Sequence, residues 1–142
     1  MLREQFEDVL ADFGALVKQN LALDGDGAAT FTVDDEIIVN LQYLGDSDTV
    51  LAFAPVGAFG DPGDADAGER ALALLRLNDI GGPCEGFTLA LDADADLVLA
   101  MDRRSALVLA TSDALAAWLD ALVRAVRAVR AHFAEHFPAE EN

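Results

Sequence analysis

The chain has 142 residues, 53% of them hydrophobic, with a mean hydropathy of +0.25 and a formal net charge of −17 from 26 acidic and 9 basic side chains. That length suits one domain with a real hydrophobic core, and so much negative charge repels nucleic acid and anionic membrane alike. The single cysteine, Cys84, excludes an internal disulfide and fits a reducing compartment.

The opening stretch "MLREQFEDVLADF" is acidic and amphipathic, unlike the basic-then-apolar order of a secretory signal. No apolar run nears the roughly 20 residues that cross a bilayer. A soluble, cytoplasmic protein without membrane insertion is the expectation. Leu2, Phe6, Val9, Leu10, Phe13, Leu16 and Val17 recur at helical spacing, which predicts an amphipathic helix over 2–17, ended near Asn20. "LDGDG" (23–27) is a turn.

Three strands follow. "ATFTV" (29–33) turns at Asp34 and Asp35 into "EIIVNLQYL" (36–44), where Ile37, Val39, Leu41 and Tyr43 alternate with Ile38, Asn40, Gln42 and Leu44. "GDSD" then turns into "TVLAFAPV" (49–56). Connections this short make an antiparallel meander.

The loop "GDPGDADAG" (60–68) leads to a second helix, where Asp66 and Glu69 have capping-box spacing. Leu72, Leu74, Leu75 and Leu77 supply its apolar surface, and "NDIGGPCEG" (78–86) ends it. "FTLALD" (87–92) and "DLVLAMD" (96–102) are two more strands, and "ALVLA" (106–110) is a further extended segment or an apolar connector. A long helix runs from Ser112, the expected N-cap, to Phe137, where Pro138 forbids continuation. Its stripe is Leu115, Leu119, Leu122, Val126, Val129 and Phe133, and residues 138–142 are expected to form a disordered tail. The order α-β-β-β-α-β-β-α describes one α+β domain, a twisted antiparallel sheet flanked by helices, with no internal linker or repeat.

Several stretches imitate chemical sites. Asp92, Asp94 and Asp96 are spaced like calcium ligands, but such a loop needs glycine sixth and glutamate twelfth. Those places hold Leu97 and Arg103, and a start at Asp24 offers Ala29 and Asp35. Both stretches read as turns, which aspartate favours by bonding nearby backbone amides. "HFAEH" (132–136) matches the inverted zinc-protease pattern, with His132 and His136 one helical turn apart and Glu135 between them. A small zinc-dependent hydrolase is therefore an alternative reading, although nothing identifies a third ligand. Arg124, Arg127 and Arg130 form a basic stripe suited to local pairing. Cys84 has no histidine nearby in sequence, and no P-loop, dinucleotide or nucleophile-elbow motif is present. No cofactor or metal is expected.

Stretches along the whole chain resemble the Tir-chaperone family, the class I type III secretion chaperones. "FEDVLADFGALVKQNLALDGDGAATFTVDDEIIVNLQY" is similar to that family's first helix, turn and first two strands. "ALALLRLNDIGGPCEGFTLALDADADLVLAMDR" is similar to its second helix, Leu-Leu-x-x-Asn ending, glycine-bearing loop and next hairpin. "LAAWLDALVRAVRAV" resembles its closing helix. The resemblance implies a homodimeric bacterial cytosolic chaperone, not an enzyme, that needs no nucleotide or metal. It would hold the N-terminal region of a secreted effector in extended, secretion-competent form, with the secretion-apparatus ATPase as a further partner.

Carried onto this chain, the family's dimer contacts fall on Leu72, Leu75, Phe87, Leu89 and Leu91. Its effector grooves fall on Phe6, Val9, Leu10, Phe13, Phe31, Val33 and Ile38. A protein-interaction adaptor of the same architecture, outside secretion, is the remaining alternative.

Overall fold

A computed structural model describes residues 3–138. Helix α1 (Arg3–Leu16) precedes strands β1 (Ala28–Val33), β2 (Ile37–Leu44) and β3 (Thr49–Gly57). Helix α2 (Ala67–Leu77) leads to β4 (Thr88–Asp92) and β5 (Leu97–Ser105), and helix α3 (Ser112–His136) closes the chain. Leu2 and residues 139–142 lie outside the described residues, and Pro138, the first residue of the expected tail, is exposed.

Period-two alternation builds the sheet. β2 buries Ile37, Val39, Leu41 and Tyr43, β3 buries Val50, Ala52, Ala54 and Val56, and β1 buries Ala29 and Phe31. Because one face is buried, a one-residue slip would expose all of these, so the register is held firmly. All pairings are antiparallel, in the order β1-β2-β3-β5-β4. β4 therefore lands at the far edge and β5 returns between it and β3.

The turns carry the strain. Asp34, Asp35, Asp48 and Asp96 adopt positive φ of 54°, 58°, 50° and 49°, a region that short polar side chains tolerate. In the β4–β5 turn Asp92 accepts from the Ala95 amide (3.3 Å), and Asp96 accepts from the Gly60 amide (3.0 Å). The aspartate row is a hairpin turn, as its spacing against calcium-loop rules indicated.

α1 and α3 cover the inner face. Phe6 packs on Tyr43 with ring centroids 6.0 Å apart, and Phe13 meets Phe31 at 5.8 Å. α3 buries Leu115, Leu119, Leu122, Val126 and Val129, while Phe133 is only partly covered. Trp118 stacks on Phe87 (6.0 Å) and donates its indole N–H to Asp102 (2.9 Å), which gives a buried polar tip the partner it needs.

One open expectation is resolved and two are corrected. Residues 106–109 form a 3₁₀ turn, the connector and not the extended segment, because Ser105 Oγ accepts from the Leu107 amide and the Ala106 amide donates to Asp48 O. Thr111, in extended conformation, is the α3 N-cap, accepting from the Ala114 amide (3.1 Å), and Ser112 is already helical. Asp66 precedes α2 but makes no side-chain cap. Its carboxylate pairs with Arg70 instead. Arg70 is itself buried, bonds Asp61 O (3.2 Å) and Asp64 (3.3 Å), and lies 5.0 Å over the Phe59 ring. Gly60, at φ +103°, leaves room for that guanidinium, since a Cβ there would sit 2.9 Å from Nη2.

Replacing Phe6 with alanine should cost about 3–5 kcal/mol in urea unfolding. Ile38→Ala, on an exposed side chain, should cost less than about 1 kcal/mol.

Candidate protein-binding surfaces

Five of the seven expected groove residues are core. Phe6, Val9, Leu10, Phe13 and Phe31 all lie in the cluster between the helices and the sheet, with Phe6 and Leu10 at 0% exposure. The reason is geometric. The α1 stripe is what seals the inner sheet face beside α3, so it cannot also stand open. Val33 is partly buried against the same cluster, and only Ile38, at 46%, faces outward.

Ile38 points to the other side of the sheet. There the alternate residues of β3 and β5 are also apolar: Leu51, Phe53, Pro55, Leu99 and Met101. The register sets Phe53 opposite Met101, and Pro55 opposite Leu99. On the flanking strands Asn40 lies opposite Phe53, and Ala90 opposite Leu99. These side chains are half-buried by one another and none belongs to the core cluster. The sequence alternates apolar with apolar in β3 and β5, a pattern of strands covered on both faces, and that was the available signal for this surface.

The expected dimer residues divide. Leu72, Leu75 and Leu91 are exposed at 45%, 69% and 47%, while Phe87 and Leu89 are buried. Phe87 belongs under Trp118, and Leu89 follows the inward alternation of β4. Ile80, absent from the sequence-derived set, is 99% exposed just beyond α2. A lone large aliphatic side chain in a glycine-rich loop was its only signal. Leu107 and Val108 stand out on the 3₁₀ turn at 66% and 58%.

The polar features are mostly structural. Arg124 clamps Glu85 with two bonds of 2.7 and 3.0 Å. Arg127 reaches Asp34 and Glu36, and Arg130 donates to the Val56 and Glu36 carbonyls. The basic stripe is thus spent on local pairing. The Arg124 bond holds the Glu85 carboxyl below its usual range. Burial pushes the neighbouring Cys84 thiol up, which makes it a poor nucleophile.

His132 and His136 stand side by side, ring centroids 4.3 Å apart, facing Glu69 and Arg76 across a shallow cleft beside α2. Glu135 is exposed. Among the described residues no group of three or more His, Cys, Asp or Glu is placed to hold a metal. Nor is any described helix long and apolar enough to cross a membrane.

An α+β scaffold with one face closed by its own helices and apolar side chains on the other is a binding domain in form. The pattern of the Tir chaperone protein (CesT) family matches residues 8–130, and the chain belongs to that family. It is a family of chaperones, not enzymes. No curated protein matches the chain in sequence.

Among solved structures the chain is similar to one in the HopA1–SchA chaperone–effector complex, at 20% identity over 91% of this chain and 95% of that one, with a TM-score of 0.73. The ExsC–ExsE complex gives 20%, 92%, 94% and 0.74. The ExoU–SpcU heterodimer of the Pseudomonas aeruginosa type III secretion system gives 20%, 91%, 94% and 0.61. At these identities the likeness is one of fold.

The Glu85–Arg124 pair yields a test. Because the folded-state carboxyl is depressed, its contribution is present above the usual glutamate range and lost as pH falls through the lowered value. Protection of the amides at residues 84–86, taken relative to the intrinsic exchange rate at each pH, should therefore fall in acid. At neutral pH, Glu85→Gln should speed alkylation of Cys84 severalfold.

Proposed function

We propose that the chain is a class I type III secretion chaperone, working as a cytoplasmic homodimer. It holds the N-terminal segment of one or a few secreted effectors in extended form and keeps them secretion-competent. The observation that carries this reading is the apolar outer face of the sheet around Phe53 and Met101, in a chain whose family is one of chaperones. An extended segment laid there buries every second side chain, each at about 25 cal/mol per Å² of apolar area. The similarity to chains of chaperone–effector complexes supports the same direction.

Effector contact accordingly centres on Ile38, Leu51, Phe53 and Met101, and Val33, packed on the inner cluster, is left out of it. Dimer contact centres on Leu72, Leu75 and Leu91, joined by Ile80, all of them exposed on or near α2. Two separate apolar surfaces fit two separate tasks. The secretion-apparatus ATPase, as receiver of the loaded complex, completes the scheme.

Leu75→Asp should convert the dimer to monomer in light scattering at micromolar concentration. Phe53→Asp should leave the dimer whole and abolish co-purification of a secreted protein's N-terminal region from native cytosol. A wild-type chain that is monomeric at that concentration, or a client that is never secreted, would overturn the reading.

A further inference from the structure

Every open sheet has two edges, and unpaired strand edges invite pairing with any extended chain. Here the two edges are treated differently. We propose that Asn78 is an edge plug: its carboxamide fills the hydrogen-bonding positions on the outer side of β4 that a strand from another chain would take.

The geometry is that of a strand residue. Asn78 Nδ2 donates to the Leu89 carbonyl at 3.1 Å, and the Leu89 amide donates to Asn78 Oδ1 at 2.6 Å. One primary amide thereby makes the reciprocal pair of bonds that a neighbouring strand's backbone makes in an antiparallel ladder. Asparagine suits this because its side chain carries the peptide group's own donor and acceptor. It is held in place as the C-cap of α2, where its backbone amide donates to Leu74 O (3.1 Å). One position along, the Phe87 amide already donates to Cys84 O (2.9 Å). Two successive outward-facing positions of β4 are therefore occupied from within the chain.

The β1 edge is held less firmly. The Tyr43 amide donates to Gly27 O, which turns odd residues toward β2 and leaves Ala28, Thr30 and Thr32 facing outward. Asp24 takes both groups of Ala28. Thr32 O accepts from the exposed Gln19 side chain, at 3.3 Å. Among the described residues β1 keeps a window at Thr30–Thr32, whereas β4 is closed at Phe87 and Leu89.

The consequence concerns how copies and clients meet this protein. Leu91 lies on β4 and the exposed α2 leucines lie near it, so two copies approaching there would otherwise be free to join their sheets edge to edge. With the plug in place they meet without backbone pairing at Phe87 and Leu89. The inference stands whether or not the chain serves secretion.

The test uses the full chain and a synthetic peptide of its own β4 sequence, FTLALD (87–92), flanked by lysines for solubility. Wild type should not bind the peptide. Asn78→Ala should expose the Leu89 amide to rapid hydrogen exchange and bind the peptide about tenfold or more tightly than wild type, the worth of two recovered hydrogen bonds. A peptide N-methylated at alternate residues should not bind either protein. Should N78A fail to fold, N78D keeps the acceptor for the Leu89 amide but opposes its carbonyl with a carboxylate, and should still bind more tightly than wild type.

A purely structural role for Asn78 predicts only a lower melting temperature. Loss of stability without peptide binding, or equal binding by wild type, overturns the proposal.

Discussion

The constraint on which the molecule turns is that its sheet is apolar on both faces while its own helices cover only one. α1 and α3 supply enough apolar surface to close most of the inner face: Phe6, Leu10, Leu115, Leu122 and Val126 are all at 0% exposure. Among the described residues no helix lies against Phe53, Leu99 and Met101, which shelter one another without entering the core. A soluble monomer rarely leaves such a surface open without a use for it. The stability of the fold and its proposed capacity to bind are thus assigned to opposite sides of the same five strands.

Open apolar surface brings a hazard, and two features of the chain answer it. A net charge of −17 makes copies repel at a distance, which slows collapse of exposed patches onto one another. Salt screens that repulsion beyond about 10 Å, so it slows approach without choosing which surfaces meet. At contact the edges matter more. Asn78 at β4 and Asp24 at β1 satisfy outward backbone groups that would otherwise template a foreign strand. Charge repulsion and local hydrogen-bond closure are complementary, one acting on approach and the other at contact.

Element order was legible because the two periodicities are clean. Alternation in "EIIVNLQYL" can only be a half-buried strand, and the spacing of Leu115 to Val129 can only be a helix face. What was not legible is which apolar surface meets which neighbour. The α1 stripe has the same spacing whether it lines a groove or plugs a core, and only the ring contacts of Phe6 and Phe13 with the sheet decide it. Phe87 and Leu89 were hidden for the same reason, and Ile80 because an isolated residue has no period. The Leu-Leu-x-x-Asn ending was visible as a pattern, yet the task of its asparagine depends on a contact eleven residues away. Residues 106–109, apolar enough for a strand, curl because Asp48 captures the Ala106 amide, a tertiary bond outside any local propensity.

A surface of this kind sets its own limits on affinity. Ordering one residue of an extended client costs about 1–2 kcal/mol in backbone freedom, which at about 25 cal/mol per Å² needs roughly 40–80 Å² of apolar burial to offset. Only alternate side chains of a strand face the sheet, so each inward-facing one must offset two residues of ordering. Large aliphatic and aromatic side chains approach that and small or polar ones fall short, so a bound segment gains little net free energy per residue. Tight holding then requires length, a second protomer, or edge hydrogen bonds at the Thr30–Thr32 window. Release needs no chemistry, because peeling the segment from one end gives up a nearly balanced sum at each step. The proposed task of holding a client extended and then letting it go is served by that near-balance, and a deeper, better-packed groove would serve it worse.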